Sequence, residues 1–317
     1  PRRPPPRGEP HGRAAAHPPS SLCAARGAPP LPVSRLAKGA PMTDLTPHAA
    51  ALTDLLTTSR RPALGAFLPA GFPNWTAGID TLAQFAQHGA DFLEVGVAHH
   101  TPALDGPDIA EAYATALGQG AAMAHVISTV RLTAANTRKP VVVMSYWQPV
   151  RAFGPQRFAE ELAEAGAAGA MIPDLRGEAA AQWHAIAAAA GIHAPQFVSR
   201  RDSDAELEQT AAAASGWIYA PAADARTGFQ GDLDIPGLHA FTSRLRARTR
   251  HPVVAGIGIS TPARAAAVAP YVDGLVIGSP LVRPMLKTGE GRQHALDLLT
   301  AFAQALRPAP QLRTLPA

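Results

Sequence analysis

The chain has 317 residues and a formal charge of +4, with 47% hydrophobic and 16% charged residues, a balance that fits one large globular domain or two small ones. No apolar run reaches the ~18 residues of a membrane-spanning helix, and the single cysteine, Cys23, excludes an internal disulfide and a cysteine-based metal cluster. Residues 1–41 carry seven Lys/Arg and one acid against 21 Lys/Arg and 23 acids in the rest, so the remainder is mildly acidic and makes no electrostatic case for nucleic-acid binding.

Residues 1–41 also hold 11 of the 32 prolines, and this segment is expected to be a disordered, Pro/Arg/Ala-rich extension. Its composition is like that of a transit peptide, but it lacks an amphipathic period. The first plausible start is Met42, and residues 42–317 are expected to form a single domain. An Ala/Leu-rich helix is predicted over 46–60, with Pro47 suited to its first turn. A strand at 63–69 leads to a helix that Asn74 caps and that runs to 88. The second strand opens the stretch 91–107, Asp-Phe-Leu-Glu-Val-Gly-Val-Ala-His-His-Thr-Pro-Ala-Leu-Asp-Gly-Pro. Phe92, Leu93, Val95 and Val97 make it apolar and β-favouring, and Glu94 sits inside that run. A lone buried carboxylate is costly unless paired, neutralised or used. Asp105 follows in a Leu-Asp-Gly-Pro turn, so a strand and its loop bring two carboxyls towards one small ligand.

Helices are predicted over 108–118 and 121–138, a strand at 140–147 and a helix at 155–165. Strand 169–174 precedes helix 178–190, strand 194–199 precedes helix 203–214, and strand 217–220 precedes a long polar loop and helix 238–248. Strand 252–259 precedes helix 262–268, and strand 273–279 precedes a helical tail to 306. The strands are apolar runs rather than alternations, as in a parallel sheet buried on both faces. Eight of them alternating with helices favour a closed (β/α)8 TIM barrel with an extra N-terminal helix; an open doubly wound sheet is the alternative.

In such barrels function sits on the loops after the strands. The last two, Gly-Ile-Gly-Ile-Ser (256–260) and Gly278-Ser279, are glycine-rich and lead into helices, where backbone N–H groups donate to anions. With Thr227-Gly228 closing a third side, they point to a phosphorylated small molecule. The bland readings are that the glycines make tight turns, that Glu94 is a buried acid paired with an arginine, and that Asp105 is a turn residue. His99 and His100 are adjacent, so in an extended segment they point apart and make a poor metal pair.

The motifs Phe-Leu-Pro-Ala-Gly-Phe-Pro (67–73), Gly-Ala-Asp-Phe-Leu-Glu-Val-Gly (89–96), Leu-Asp-Gly-Pro (104–107), Val-Met-Ser-Tyr-Trp (143–147), Ile-Pro-Asp-Leu (172–175), Trp-Ile-Tyr-Ala (217–220), Gly-Ile-Gly-Ile-Ser and Ile-Gly-Ser (277–279) resemble the tryptophan synthase alpha subunit family. The resemblance implies retro-aldol cleavage of indole-3-glycerol phosphate to indole and glyceraldehyde 3-phosphate in the cytoplasm, without metal or organic cofactor. It implies Glu94 as the proton-transfer group, Asp105 as acceptor for the indole N–H and Tyr219 as an orienting hydroxyl. Phe67, Tyr146 and Met171 would line an indole pocket, and Thr227, Gly228, Gly258, Gly278 and Ser279 would hold the phosphate. The family also implies a beta subunit as partner, with no nucleic acid and no membrane. Two loops depart from its pattern. Ala-His-His-Thr-Pro (98–102) replaces Pro-x-Ser-Asp-Pro, and Ala225-Arg226 replace Gly-Val before Thr-Gly. Gln148 stands where Asn is usual. These departures point to a diverged paralogue with weakened coupling to a beta subunit. A non-catalytic activator of a beta-like subunit, or a barrel lyase or isomerase for another phosphorylated aromatic, are the alternatives.

Overall fold

A computed structural model describes residues 44–287 and 290–307; the extension expected over residues 1–41 lies outside them. Eight parallel strands form the sheet: β1 (Ala63–Pro69), β2 (Phe92–Gly96), β3 (Val141–Met144), β4 (Ala167–Met171), β5 (Gln196–Phe197), β6 (Ile218–Tyr219), β7 (Val253–Ala255) and β8 (Gly274–Ile277). Their order is β4-β3-β2-β1-β8-β7-β6-β5, so chain neighbours are sheet neighbours and β1 lies beside β8. That order is a TIM barrel, as the alternation of apolar runs and helices predicts.

Closure is by a thin seam. β4 and β5 share no ladder; a single bridge joins Gly169 to His193, just before β5. His193 N–H donates to Ala168 O at 2.9 Å, and Ala170 N–H donates to His193 O at 2.9 Å. On this side β5 and β6 are shorter than the runs predicted for them, although Val198 and Ala220 extend the pairing by donating to Tyr219 O and Val254 O at 3.0 and 2.8 Å.

Two strands are pinned from below by acids one residue before their sheet neighbours. Asp91 Oδ2 accepts Leu64 N–H of β1 at 2.8 Å and pairs with Arg61 at 2.7 Å. Asp273 Oδ2 accepts Val253 N–H of β7 at 2.7 Å. The helices are α1 (Pro47–Thr58), α2 (Trp75–Gln87), α3 (Pro107–Gly118), α4 (Met123–Thr137), α5 (Trp147–Phe153), α6 (Pro155–Glu164), α7 (Gly177–Ala189), α8 (Asp204–Ala212), α9 (Ile235–Arg246), α10 (Pro262–Val268), α11 (Ser279–Met285) and α12 (Gly291–Ala305). Asn74 caps α2 by accepting Ala77 N–H at 2.9 Å, and Ser203 with Glu206 forms a capping box on α8. Helix α5 has no counterpart in the sequence reading. Its first N–H, on Trp147, is satisfied by the carboxylate of Asp174 at 2.9 and 3.1 Å, a cap 27 residues away in the chain.

Strand periodicity sets the interior. Phe92 fills the space that Gly65 leaves on the adjacent strand, and its ring meets that of Trp217 at 5.7 Å. Side chains two residues on share that face. Glu94 therefore projects into the barrel one layer above Phe92, level with Phe67, its register partner on β1.

Helix α1 packs on the seam. His193 Nε2 lies 3.0 Å from Ala49 O and 2.9 Å from Thr53 Oγ1. The carbonyl can only accept, so the ring proton sits on Nε2. Nδ1 is buried without a partner, and burial holds the His193 pKa below its ordinary value. A depressed histidine pKa makes stability fall as pH drops below about 6.5, because the unfolded chain takes up the proton first. His193→Ala is expected to cost about 1–3 kcal/mol at pH 7.5 and to flatten that acid loss, read from urea midpoints between pH 5 and 7.5.

Candidate active site

The upper interior layer opens into one cavity of about 740 Å³, mouth included, at the C-terminal ends of the strands. Its apolar end is walled by Phe67 of β1, Met144 of β3, Met171 of β4, Phe197 of β5 and Tyr219 of β6, with Ile109 of α3 above them. Glu94 and Asp105 both face this cavity. Tyr219 stacks on Phe197 with ring centres 5.5 Å apart, which fixes its ring.

Glu94 is 4% exposed, and its Oε2 has no hydrogen-bond partner. The arginine that a structural role would require is missing: among the described residues no ion pair includes Glu94. Burial, and then the nearby Asp105 charge, raise its pKa to about 8, so it carries a proton at neutral pH. Asp105 differs in kind. Its Oδ2 accepts the Tyr146 hydroxyl at 2.8 Å and its Oδ1 accepts the Thr227 hydroxyl at 3.3 Å. Burial raises its pKa to about 6, and these two donors restrain the rise, so it is mostly ionised at neutral pH. Two carboxyls in one chamber thus hold different protonation states, the arrangement that separates an acid from a base.

Tyr146, expected on the cavity wall, stands behind Asp105 instead. Its oxygen also accepts Leu104 N–H at 3.0 Å, and His99 packs on its ring at 5.1 Å. Tyr219 Oη accepts Ile257 N–H at 3.1 Å, which leaves its own proton to donate into the cavity. It makes no hydrogen bond to Glu94.

Two loops roof the chamber. Thr227 N–H donates to Leu104 O at 3.1 Å, and Gly106 N–H donates to Thr227 Oγ1 at 2.8 Å. A Cβ on Gly106 would collide with the Thr227 carbonyl, so the glycine of Leu-Asp-Gly-Pro serves loop contact as well as the turn. Residues 98–101 and 225–226, where the chain departs from the family pattern, supply none of these roof bonds.

Gly228, Gly258, Gly278 and Ser279 also line the cavity, Gly278 against the Phe67 ring and Gly228 beside Ser279. Gly228 and Gly258 have φ of +81° and +99°, which a side chain would strain. Their N–H groups donate to no acceptor among the described residues. Ser279 is 3% exposed with an unpartnered Oγ. Unused donors around a buried hydroxyl suit an anion. Arg226 is exposed and away from the cavity wall; the cation at this rim is Arg283 of α11, which sequence reasoning missed. Phe229 and Leu104 were missed as well, since both lie on loops without periodicity. Among the described residues no three His, Cys, Asp or Glu side chains gather as a metal site, and no helix is long and apolar enough to cross a membrane.

The unpaired acid should cost stability. The unfolded chain loses the Glu94 proton near pH 4.5 and the folded chain near pH 8, so this group destabilises progressively between those values and by a constant amount above them. Glu94→Gln is expected to be more stable than the parent, by a margin that grows from pH 5 to 8 and then levels, measured as the difference in urea midpoints.

Comparison with known proteins agrees with this architecture. Residues 54–310 match the family model described as tryptophan synthase alpha chain. The tryptophan synthase alpha chain of Streptomyces coelicolor is 40% identical over 238 residues, covering 74% of this chain and 88% of that protein. That of Streptomyces avermitilis is 39% identical over 258 residues, covering 80% and 92%. A chain of Mycobacterium tuberculosis tryptophan synthase superposes with a TM-score of 0.76 at 30% identity, covering 84% of this chain and all of that one. With the barrel and its two-acid cavity in place, these similarities show that the chain belongs to the tryptophan synthase alpha chain family.

Proposed function

We propose that the chain cleaves indole-3-glycerol phosphate to indole and glyceraldehyde 3-phosphate. The observation that carries this reading is a protonated and an ionised carboxyl in one apolar chamber, with unused N–H and hydroxyl donors on its wall. The reaction needs a proton delivered to indole C3, so that the ring accepts the electrons of the breaking C–C bond. It also needs a proton removed from the hydroxyl on the side-chain carbon attached to C3. Glu94 delivers the first proton and, once ionised, takes the second, so no proton is gained or lost overall. Asp105, ionised and held by Tyr146 and Thr227, accepts the indole N–H and stabilises the positive charge that the ring acquires. Phe67 and Met171 flank the ring, and the Tyr219 hydroxyl orients the carboxyl of Glu94 or the substrate hydroxyl. The phosphate takes the donors of Gly228, Gly258, Gly278 and Ser279. The chemistry runs on side chains alone, and the cytoplasm is its setting.

A beta subunit is the natural consumer of indole in this family. Here the roof bonds run through Leu104, Gly106 and Thr227, apart from the altered segments 98–101 and 225–226. We therefore read the chain as a lyase that closes over substrate unaided and responds weakly to a beta subunit.

Purified chain should release indole from indole-3-glycerol phosphate. Glu94→Gln and Asp105→Asn should each lower kcat by about 10²–10⁴-fold while the circular dichroism spectrum is unchanged. A chain that binds the substrate and releases no indole would support a non-catalytic activator instead. The pH profile of kcat/KM should be a bell, rising as Asp105 ionises near pH 6 and falling as Glu94 loses its proton near pH 8. Titrating the host's beta subunit into the assay should change kcat little; strong stimulation would refute the weak-coupling reading.

A further inference from the structure

We propose that Arg283 is a direct phosphate-recognising residue of this site, the cation that selects phosphorylated over unphosphorylated glycerol chains. The inference rests on the substrate class proposed above and assigns it a group that sequence reading passed over.

Ser279 and Arg283 are one helical turn apart on α11 and both line the cavity. They converge on Gly228 together with Asp108: a methyl group built on that residue would lie 3.3 Å from Asp108 Oδ2, 3.5 Å from Ser279 Oγ and 3.7 Å from Arg283 Nη2. One of those groups, Ser279 Oγ, is buried and has no partner in the protein. The guanidinium is held on two sides. Asp108 of α3 accepts from Nε at 3.2 and 3.1 Å and from Nη2 at 2.9 Å. Gln230, with its carboxamide oxygen turned to the guanidinium, accepts from Nη1 and Nη2 at 2.8 Å each. The Arg283 side chain is 41% exposed, but a planar cation fixed by two partners loses little side-chain entropy when an anion arrives. These contacts use the Nε hydrogen, both Nη2 hydrogens and one on Nη1, which leaves the second Nη1 hydrogen for a phosphate oxygen. Asp108, at 16% side-chain exposure, offsets part of the charge, so Arg283 acts on a nearby anion chiefly through an oriented donor.

Isothermal titration of the full chain with glycerol 3-phosphate tests this without turnover. Arg283→Gln is expected to weaken binding by about 10–100-fold, the range for losing a hydrogen bond to a charged group, and Arg283→Lys to restore part of it. Asp108→Asn is the decisive comparison. It breaks the same ion pair but keeps the guanidinium, so it should weaken binding much less than Arg283→Gln. In steady-state cleavage, Arg283→Gln should raise KM in proportion to the binding loss and leave kcat within about threefold. Equal losses for Arg283→Gln and Asp108→Asn would make the pair a structural clip and overturn the assignment. So would binding by Arg283→Gln within twofold of the parent, or a parent chain that does not bind glycerol 3-phosphate. A parent that binds it in an Arg283-dependent way and yet releases no indole would sink the proposed reaction and leave the assignment standing.

Discussion

A carboxyl group without a partner, kept inside an apolar barrel, is the constraint on which the site turns. Glu94 gains its position from strand alternation: Phe92 occupies the layer below, in space left by Gly65, and the next inward side chain must stand at the level of Phe67. Nothing there compensates its charge, so the proton stays on. The layer below also excludes water from underneath, since Phe92 and Trp217 meet across the interior. The same packing that makes the barrel stable thus makes Glu94 an acid at neutral pH.

Asp105 reaches the same chamber by an opposite route. It lies on a loop, and its negative charge is supported by hydroxyls from two other loops, those of Tyr146 and Thr227. Thr227 joins three tasks. It donates to Asp105, accepts from Gly106 and ties its own loop to Leu104, so closing the roof and setting the protonation of Asp105 are one event. Residues 98–101 and 225–226 supply none of these bonds.

Much of this was legible in the sequence, for identifiable reasons. Parallel strands buried on both faces read as apolar runs, and an acid inside such a run is conspicuous; Glu94 and the barrel were visible for that reason. Gly228 and Gly258 stood out because left-handed backbone restricts the residue type. What escaped depends on partners far along the chain. Helix α5 takes its cap from Asp174, and Arg283 is oriented by Asp108, 175 residues away. Tyr146 is a wall residue only by the family resemblance; as an aromatic at a strand end it reads as core. The fold of the loop at 98–105 brings Asp105 in front of it. The shortness of β5 and β6 was likewise hidden, since their residues are as apolar as those of fully laddered strands.

The seam at His193 has a mechanical consequence. A cylinder laced along seven joints and tacked at the eighth does not deform evenly. The staves from β8 through β4 form a continuous laced half that carries Glu94 and Phe67, whereas β5 and β6 form a thin panel that carries Phe197, Tyr219 and the loop of Thr227. Breathing of the molecule is therefore biased to one side. Glu94 stands on the laced shell, whereas Thr227, one side of the roof bonds over it, follows the thin panel.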